Sequence, residues 1–241
     1  MNKSLPQPLY YTMKRNGIIT VITNAVIVSV IAALAVTATV ASGAEAAFAP
    51  IRQGTDPHTV ALTCNVYLGD EYVWQMAEIL RRYGATATFF LGGSWVKKHP
   101  ETCQMLVQYG LCIGSHGYSH LDHSTLDYGQ NVAELNKAKS AIRTACGVDV
   151  DLFAPPAGAY NDNTLAACRD LGYTVVMWSK DTIDWRDQEV DIIIDRATRR
   201  MEAGTIILTH PTAATVAALP AILEAYLAAG YRFVTVRELA A

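Results

Sequence analysis

From Thr59 onward, short runs of β-branched and apolar residues alternate with longer stretches whose apolar positions recur at helical spacing. The runs Thr59–Cys64, Thr86–Leu91, Leu111–Ile113, Asp151–Phe153, Thr174–Trp178, Thr205–Thr209 and Arg232–Thr235 predict seven strands. Between them, Tyr72–Tyr83, Pro100–Gln108, Asp127–Cys146, Asn163–Leu171, Glu189–Met201 and Ala214–Leu227 predict helices. Gly84, Gly110, Gly147, Gly172, Gly204 and Gly230 follow these helices closely, where a left-handed C-terminal cap is needed. Pro100 suits a first helical turn. Strand and helix in steady alternation imply parallel strands joined by crossover helices. Seven such units predict a closed or nearly closed barrel, with a doubly wound open sheet as the alternative. In both, chemistry belongs at the carboxyl ends of the strands.

The N-terminal pattern is of another kind. Ile18–Ala41 is a run of 24 residues without a charge, preceded by Lys3, Lys14 and Arg15 and followed by Glu45. At roughly 1.5 Å per residue a helix of that length exceeds the roughly 30 Å hydrocarbon thickness of a bilayer. The pattern predicts a retained signal anchor at 18–41, a cytoplasmic tail at 1–17, a linker at 42–57 and a catalytic domain at 58–241 outside the cytoplasm. A secreted form stays open, because Ala44-Glu45-Ala46 and Ala47-Phe48-Ala49 both fit a small-x-small cleavage site. A buried core helix fits less well with the basic flank and with Pro50-Ile51-Arg52-Gln53-Gly54 after it.

Composition narrows the picture. With 241 residues, 51% of them hydrophobic, the chain can bury one substantial core. A net charge of −3 without a basic stripe excludes nucleic acid as a partner. The five cysteines, Cys64, Cys103, Cys112, Cys146 and Cys168, contain no C-x-x-C pair and set no disulfide framework. Cys64 and Cys112 read as small buried hydrophobes. In an oxidising compartment one pair could form, and the sequence does not choose it.

Candidate chemistry begins at Ser115-His116-Gly117-Tyr118-Ser119-His120, directly after the third strand. Two neutral imidazoles can hold a divalent metal, but a catalytic site needs about three protein ligands and an open position. H-x-x-x-H alone is weak among six histidines and equally describes surface or capping residues. Polar residues also gather at other strand ends: Asn65-Val66-Tyr67-Leu68-Gly69-Asp70-Glu71 after the first, Ala154-Pro155-Pro156-Ala157-Gly158 after the fourth, Asp181-Thr182-Ile183-Asp184-Trp185 after the fifth and Leu208-Thr209-His210 at the sixth.

These motifs, with Ala87-Thr88-Phe89-Phe90-Leu91, resemble the polysaccharide deacetylases with the NodB homology domain, carbohydrate esterase family 4, in order and approximate spacing from Thr59 to Leu239. The resemblance implies a distorted (β/α)7 barrel and a divalent metal, zinc by preference, held by an Asp and two His. His116 and His120 match that pair. Asp184 matches the acidic residue that orients the catalytic acid, and His210 matches that acid; a carboxylate beside an imidazole favours its proton-donating form. Trp185 matches a groove-wall aromatic, against an equally open reading as simple packing. Leu208 and Ala157 would join it in lining the substrate, the Ala157 N–H facing the oxyanion. Asp181 reads as a turn cap, and Asp122 and His123 as loop residues.

The chain departs from the family at two places. The family's adjacent Asp pair, one a general base and the next a metal ligand, falls on Asn65 and Val66, neither of which can do that work. The family's Arg-Pro-Pro-Tyr-Gly reads Ala154-Pro155-Pro156-Ala157-Gly158, so the Arg that orients the base is gone with the base. The altered motif is similar to that of a sporulation-associated branch. It points to Glu71, then Asp70, as a replacement ligand or base, with Glu71 placed among the catalytic residues and Asp70 among the metal ligands and the exchange of these roles left open, against their ordinary reading as acids at a helix N-terminus. The resemblance implies metal-assisted removal of N-acetyl groups from amino sugars of a cell-wall polysaccharide or peptidoglycan. A degenerate glycan-binding homologue, or an amidase on a small amide, is the alternative.

Overall fold

Every residue of strand β1, Thr59–Val66, is buried, as a strand at the middle of a sheet covered on both faces must be. In the computed structural model, which describes residues 26–30 and 48–240, β1 pairs in parallel with β2 (Thr88–Leu91) on one side and β7 (Ile206–Thr209) on the other. The sheet continues through β3 (Cys112–Ser115), β4 (Leu152–Phe153) and β5 (Thr174–Val175) at one end and β6 (Lys180–Asp181) at the other. A short β8, Arg232–Phe233, also pairs with the start of β1. All of these pairings are parallel.

The result is a parallel-strand α/β half-barrel, less regular than a seven-unit barrel. β5 and β6 belong to one bent run: its first part pairs with β4 and its last part with β7, so the segment 174–181 changes partners along its length. The inner faces of the strands meet in a core of Ala61, Phe90, Leu152, Ala154, Val176, Ile206 and Val234. The Val236–Leu239 helix plugs that core at one end through Val236 and Leu239.

Helices α1 (Glu71–Tyr83), α2 (Gly93–Val96), α3 (Pro100–Gln108), α4 (Tyr128–Cys146), α5 (Asp162–Asp170), α6 (Val190–Thr198), α7 (Ala213–Ala228) and α8 (Val236–Leu239) fill most of the crossovers. The expected stops are in place at Gly84 and Gly147, which end α1 and α4 in the left-handed conformation. α4 opens with a capping box, Asp127 accepting from Gln130 N at 2.8 Å and Gln130 Oε1 accepting from Asp127 N at 2.9 Å.

The chain divides into two units, Met1–Phe48 and Ala49–Ala241. The expected tail at 1–17 and, apart from the helical residues 26–30, the expected anchor at 18–41 lie outside the described residues. Among the described residues no helix is long and apolar enough to cross a membrane. The linker expected at 42–57 is corrected at its C-terminal part. Ile51 bridges to Val176 and Gln53 to Thr205, and Gly54 N donates to Gly204 O at 2.8 Å. A Cβ on Gly204 would lie 2.1 Å from Gly54 O, so this contact requires glycine. Backbone pairing makes residues 51–54 part of the domain.

Candidate active site

β3 carries the chain to His116, whose backbone N donates to Leu91 O at 2.9 Å and extends the ladder by one residue. The imidazole is buried, and its Nδ1 lies 2.7 Å from Ala154 O. A carbonyl only accepts, so the proton is on Nδ1 and Nε2 keeps the lone pair. Burial pushes this histidine down to about 3, despite the opposing bond to Ala154. His120, exposed at the rim with its ring centroid 5.1 Å from that of His116, is also lowered, first by desolvation. Both feel the charge of His210, so the three imidazoles share one end of the sheet.

The loop between the two histidines is held from below by residues the sequence reading did not single out. Buried Glu134 on α4 accepts from Tyr118 N at 3.1 Å and Ser119 N at 2.8 Å. His123, expected as a loop residue, is fully buried, with Nδ1 2.7 Å from Asn131 Oδ1 and its ring 5.0 Å from that of Phe153. Asp122 does cap its turn, accepting from Ser124 N at 2.9 Å. Tyr67 packs its ring 4.6 Å from that of His120 and donates its hydroxyl to Ser119 O at 3.2 Å. Replacing Glu134 by Ala strands two backbone donors and is expected to cost about 2 kcal/mol. A thermal melt unchanged by that substitution would contradict the role given to Glu134.

On the other side of the rim, Asp184 is fully buried and accepts three hydrogen bonds: His210 N at 2.7 Å, His210 Nδ1 at 2.7 Å and Thr215 Oγ1 at 2.5 Å. The carboxylate fixes the proton on Nδ1 and leaves Nε2 as the nitrogen that exchanges protons with a reactant. Thr212 caps α7 through Thr215 N at 3.1 Å, which sets Thr215 beneath the carboxylate. Asp181 is a turn cap as expected, accepting from Ile183 N at 2.8 Å. Ile183 has φ of 52°, unusual for a β-branched residue, and His120 and Ala157 at the same rim have φ of 56° and 54°. Strained backbone concentrates where side chains must be aimed.

The two carboxylates expected to complete the site, Asp70 and Glu71, stand at the start of α1. Asn65 is buried, its Oδ1 without a hydrogen-bond partner among the described residues, and Val66 is fully buried. Asp70 Oδ2 lies 3.1 Å from Nδ1 of His99, which stacks on Trp95 at 4.9 Å. Trp95 Nε1 in turn donates to Gly69 O at 2.5 Å. Together these contacts turn Asp70 toward the α2–α3 side. Glu71 is exposed in the first turn of α1, beside the Tyr72 hydroxyl, which it pushes up. The charges felt by His116 and His120 are those of histidines. Asp70, expected as a ligand, thus pairs with His99, and Glu71, expected as a base, stands exposed beside Tyr72. Among the described residues no three His, Cys, Asp or Glu side chains form a group able to hold a metal ion. Two imidazoles beside Val66 do not supply the three-ligand set a catalytic zinc needs, so the donor set present does not fit that metal.

The residues expected to face a substrate, Trp185, Ala157 and Leu208, differ in exposure. Trp185 is 60% exposed, with the Arg186 guanidinium 5.9 Å from its ring centroid, so it is a surface aromatic and not core. Ala157 is exposed on the turn after β4. Leu208 is 3% exposed within β7, and its carbonyl accepts from Thr182 Oγ1 at 2.9 Å.

Neutral buried histidines make stability depend on pH. Unfolding returns His116 from about 3 to near 6.5, so between these values the unfolded chain binds the additional proton. The associated stability is complete above pH 6.5 and is lost as the pH falls toward 3, by up to ~1.4 kcal/mol per pH unit for one such group. His123, also lowered by burial, acts in the same direction. Urea midpoints at pH 7.5 and pH 5 measure this; equal midpoints would contradict it.

Comparison with known proteins gives a consistent set of similarities. The family model for polysaccharide deacetylase matches residues 52–176. The uncharacterized protein YlxY of Bacillus subtilis is 35% identical over 191 residues, 79% of this chain and 60% of that protein, so this chain spans less than two thirds of it. A peptidoglycan-N-acetylglucosamine deacetylase of Bacillus cereus is 32% identical over 186 residues, 75% of this chain and 87% of that one. The crystal structure of BA3943, a CE4 family pseudoenzyme from Bacillus anthracis, superposes with a TM-score of 0.78 at 35% identity, covering 80% of this chain and 69% of that one. A BA3943 mutant with restored enzymatic activity superposes with the same TM-score at 34% identity, covering 80% and 71%.

Proposed function

The chain belongs to the polysaccharide deacetylase family, and from that membership we propose that it is a deacetylase of N-acetylated cell-wall polysaccharide that works at strongly reduced turnover. One observation carries the reading: the buried Asp184 orients the His210 imidazole, while the neighbouring strand, one residue past the Cys64–Thr209 pair, brings the carboxamide of Asn65 to the same end of the sheet. The glycan would lie across the rim with a sugar face on Trp185 and its acetamide carbonyl toward the backbone N–H of Ala157. His210 Nε2 would protonate the departing amine. Water must then attack without a carboxylate to take its proton, because Asn65 is no base. A general base contributes roughly 10²–10⁴ in rate, and that is the factor the chain forgoes.

A second reading, glycan binding without turnover, is favoured by the likeness to the Bacillus anthracis pseudoenzyme. We further propose that the domain stands outside the cytoplasm, tethered through residues 18–41; the uncharged run and its basic flank support this reading. Sedimentation of the full chain with N-acetylated peptidoglycan, together with acetate release by the chain and its His210→Ala variant, separates the readings. Slow release abolished by His210→Ala supports the deacetylase. Binding without release supports the second reading, and release that survives His210→Ala, or an absence of binding, overturns both.

A further inference from the structure

Cys103 on α3 and Cys146 at the end of α4 bring their sulfurs to 2.7 Å, closer than an ordinary non-bonded contact and short of the roughly 2.0 Å covalent bond. Neighbouring contacts already hold the two helices in the needed register: Gln104 Nε2 donates to Ala145 O at 2.8 Å, one residue from each cysteine. The remaining three thiols have no such partner among the described residues; Cys64 and Cys168 are buried, and the nearest sulfur to Cys64 is that of Met76 at 3.9 Å.

We propose that Cys103 and Cys146 form a disulfide that staples α3 to α4. The staple closes a loop between residues 43 apart in sequence, and that loop contains β3, His116, His120 and the whole of α4 up to its cap. Joining these points removes freedom from the unfolded chain and fixes both ends of the segment that presents the histidine pair. The oxidant is a disulfide, either of a protein or of an oxidised low-molecular-weight thiol. Cys146 thiolate attacks one sulfur of that donor and releases the other as a thiolate. Cys103, losing its proton, then attacks Cys146 Sγ and expels the second donor sulfur. The two cysteines lose two electrons, the donor gains them, and two thiols leave. The half-buried Cys146 is the entering nucleophile, since the hydrogen bond from Cys103 pushes it down to about 7, while that bond and burial push Cys103 up.

The test uses the full chain equilibrated with excess oxidised glutathione, followed by thiol counting, peptide mapping without reductant and thermal melting. The expected result is loss of two of the five thiols, a linked peptide joining Cys103 and Cys146, and a Tm roughly 5–10 °C above that of the reduced protein. Cys103→Ser and Cys146→Ser variants should each melt with the reduced protein and lose the oxidant effect. Mapping on the unmutated chain decides the matter even if a serine variant folds poorly. Five free thiols after oxidation, glutathione adducts without an internal bond, or a link between other cysteines would overturn the proposal.

Discussion

Replacing Asn65 and Val66 together by Asp is expected to create zinc binding at one ion per chain and to raise acetate release from N-acetylated glycan by at least ~10². The register makes the prediction specific. Val66 pairs with Leu91, Leu91 pairs with Ser115, and His116 is the next residue, so position 66 ends its strand at the level where the histidine pair begins. His116 already has its Nδ1 proton committed to Ala154 O and its Nε2 lone pair unprotonated near neutral pH, as ligation requires. Asn65 is buried, its Oδ1 has no partner among the described residues, and Asp is nearly the same size as Asn. Without metal, two adjacent carboxylates in this buried place repel one another and should lower Tm. Zinc should restore it, a readout independent of turnover. A double variant that melts at the same temperature with and without zinc would count against this geometry.

The second large effect belongs to Asp184. Asp184→Ala removes the acceptor of three hydrogen bonds from a fully buried position and strands His210 N and Thr215 Oγ1. The expected loss is about 3 kcal/mol, or a Tm lower by roughly 6–12 °C. Asp184→Asn tests orientation apart from stability. Its amide can offer hydrogens where the carboxylate only accepts, which permits the His210 tautomer with the proton on Nε2 and none on Nδ1. In the Asn65→Asp, Val66→Asp background, acetate release should then fall by roughly 10³ or more while zinc stoichiometry stays unchanged. Loss of zinc together with activity would instead make Asp184 a determinant of the metal site.

The contrast between these two halves of the rim explains what was legible in the sequence. Asp184 and His210 could be recognised because each lies in a short motif at a strand end, and the fold then brings the motifs together. The strands could be read because β1, β2 and β7 are buried on both faces and so appear as unbroken apolar runs. β6 could not: Lys180 and Asp181 are polar and half-buried, and pairing with β7 alone makes them a strand. The 51–54 segment looked like a linker because it is held by backbone bonds, which leave little mark on side-chain choice. The contact of Asp70 with His99 could not be read either, because His99 lies 29 residues away on another element. Glu134 reads as one more helix-surface acid, and only the fold shows its carboxylate beneath the Tyr118 and Ser119 amides. Likewise the five cysteines gave no pairing until two helices placed Cys103 against Cys146.

This rim keeps the Asp184–His210 pair and the two histidines but has Asn65 and Val66 where a carboxylate would complete a metal site. Metal analysis of the unaltered chain after equilibrium dialysis against zinc at pH 7.5, with His116→Ala as the reference for adventitious ions, decides whether that is so. Zinc well below one per chain, with no measurable difference from His116→Ala, is the expected result. One tightly held zinc per chain, lost on removing His116, would contradict it.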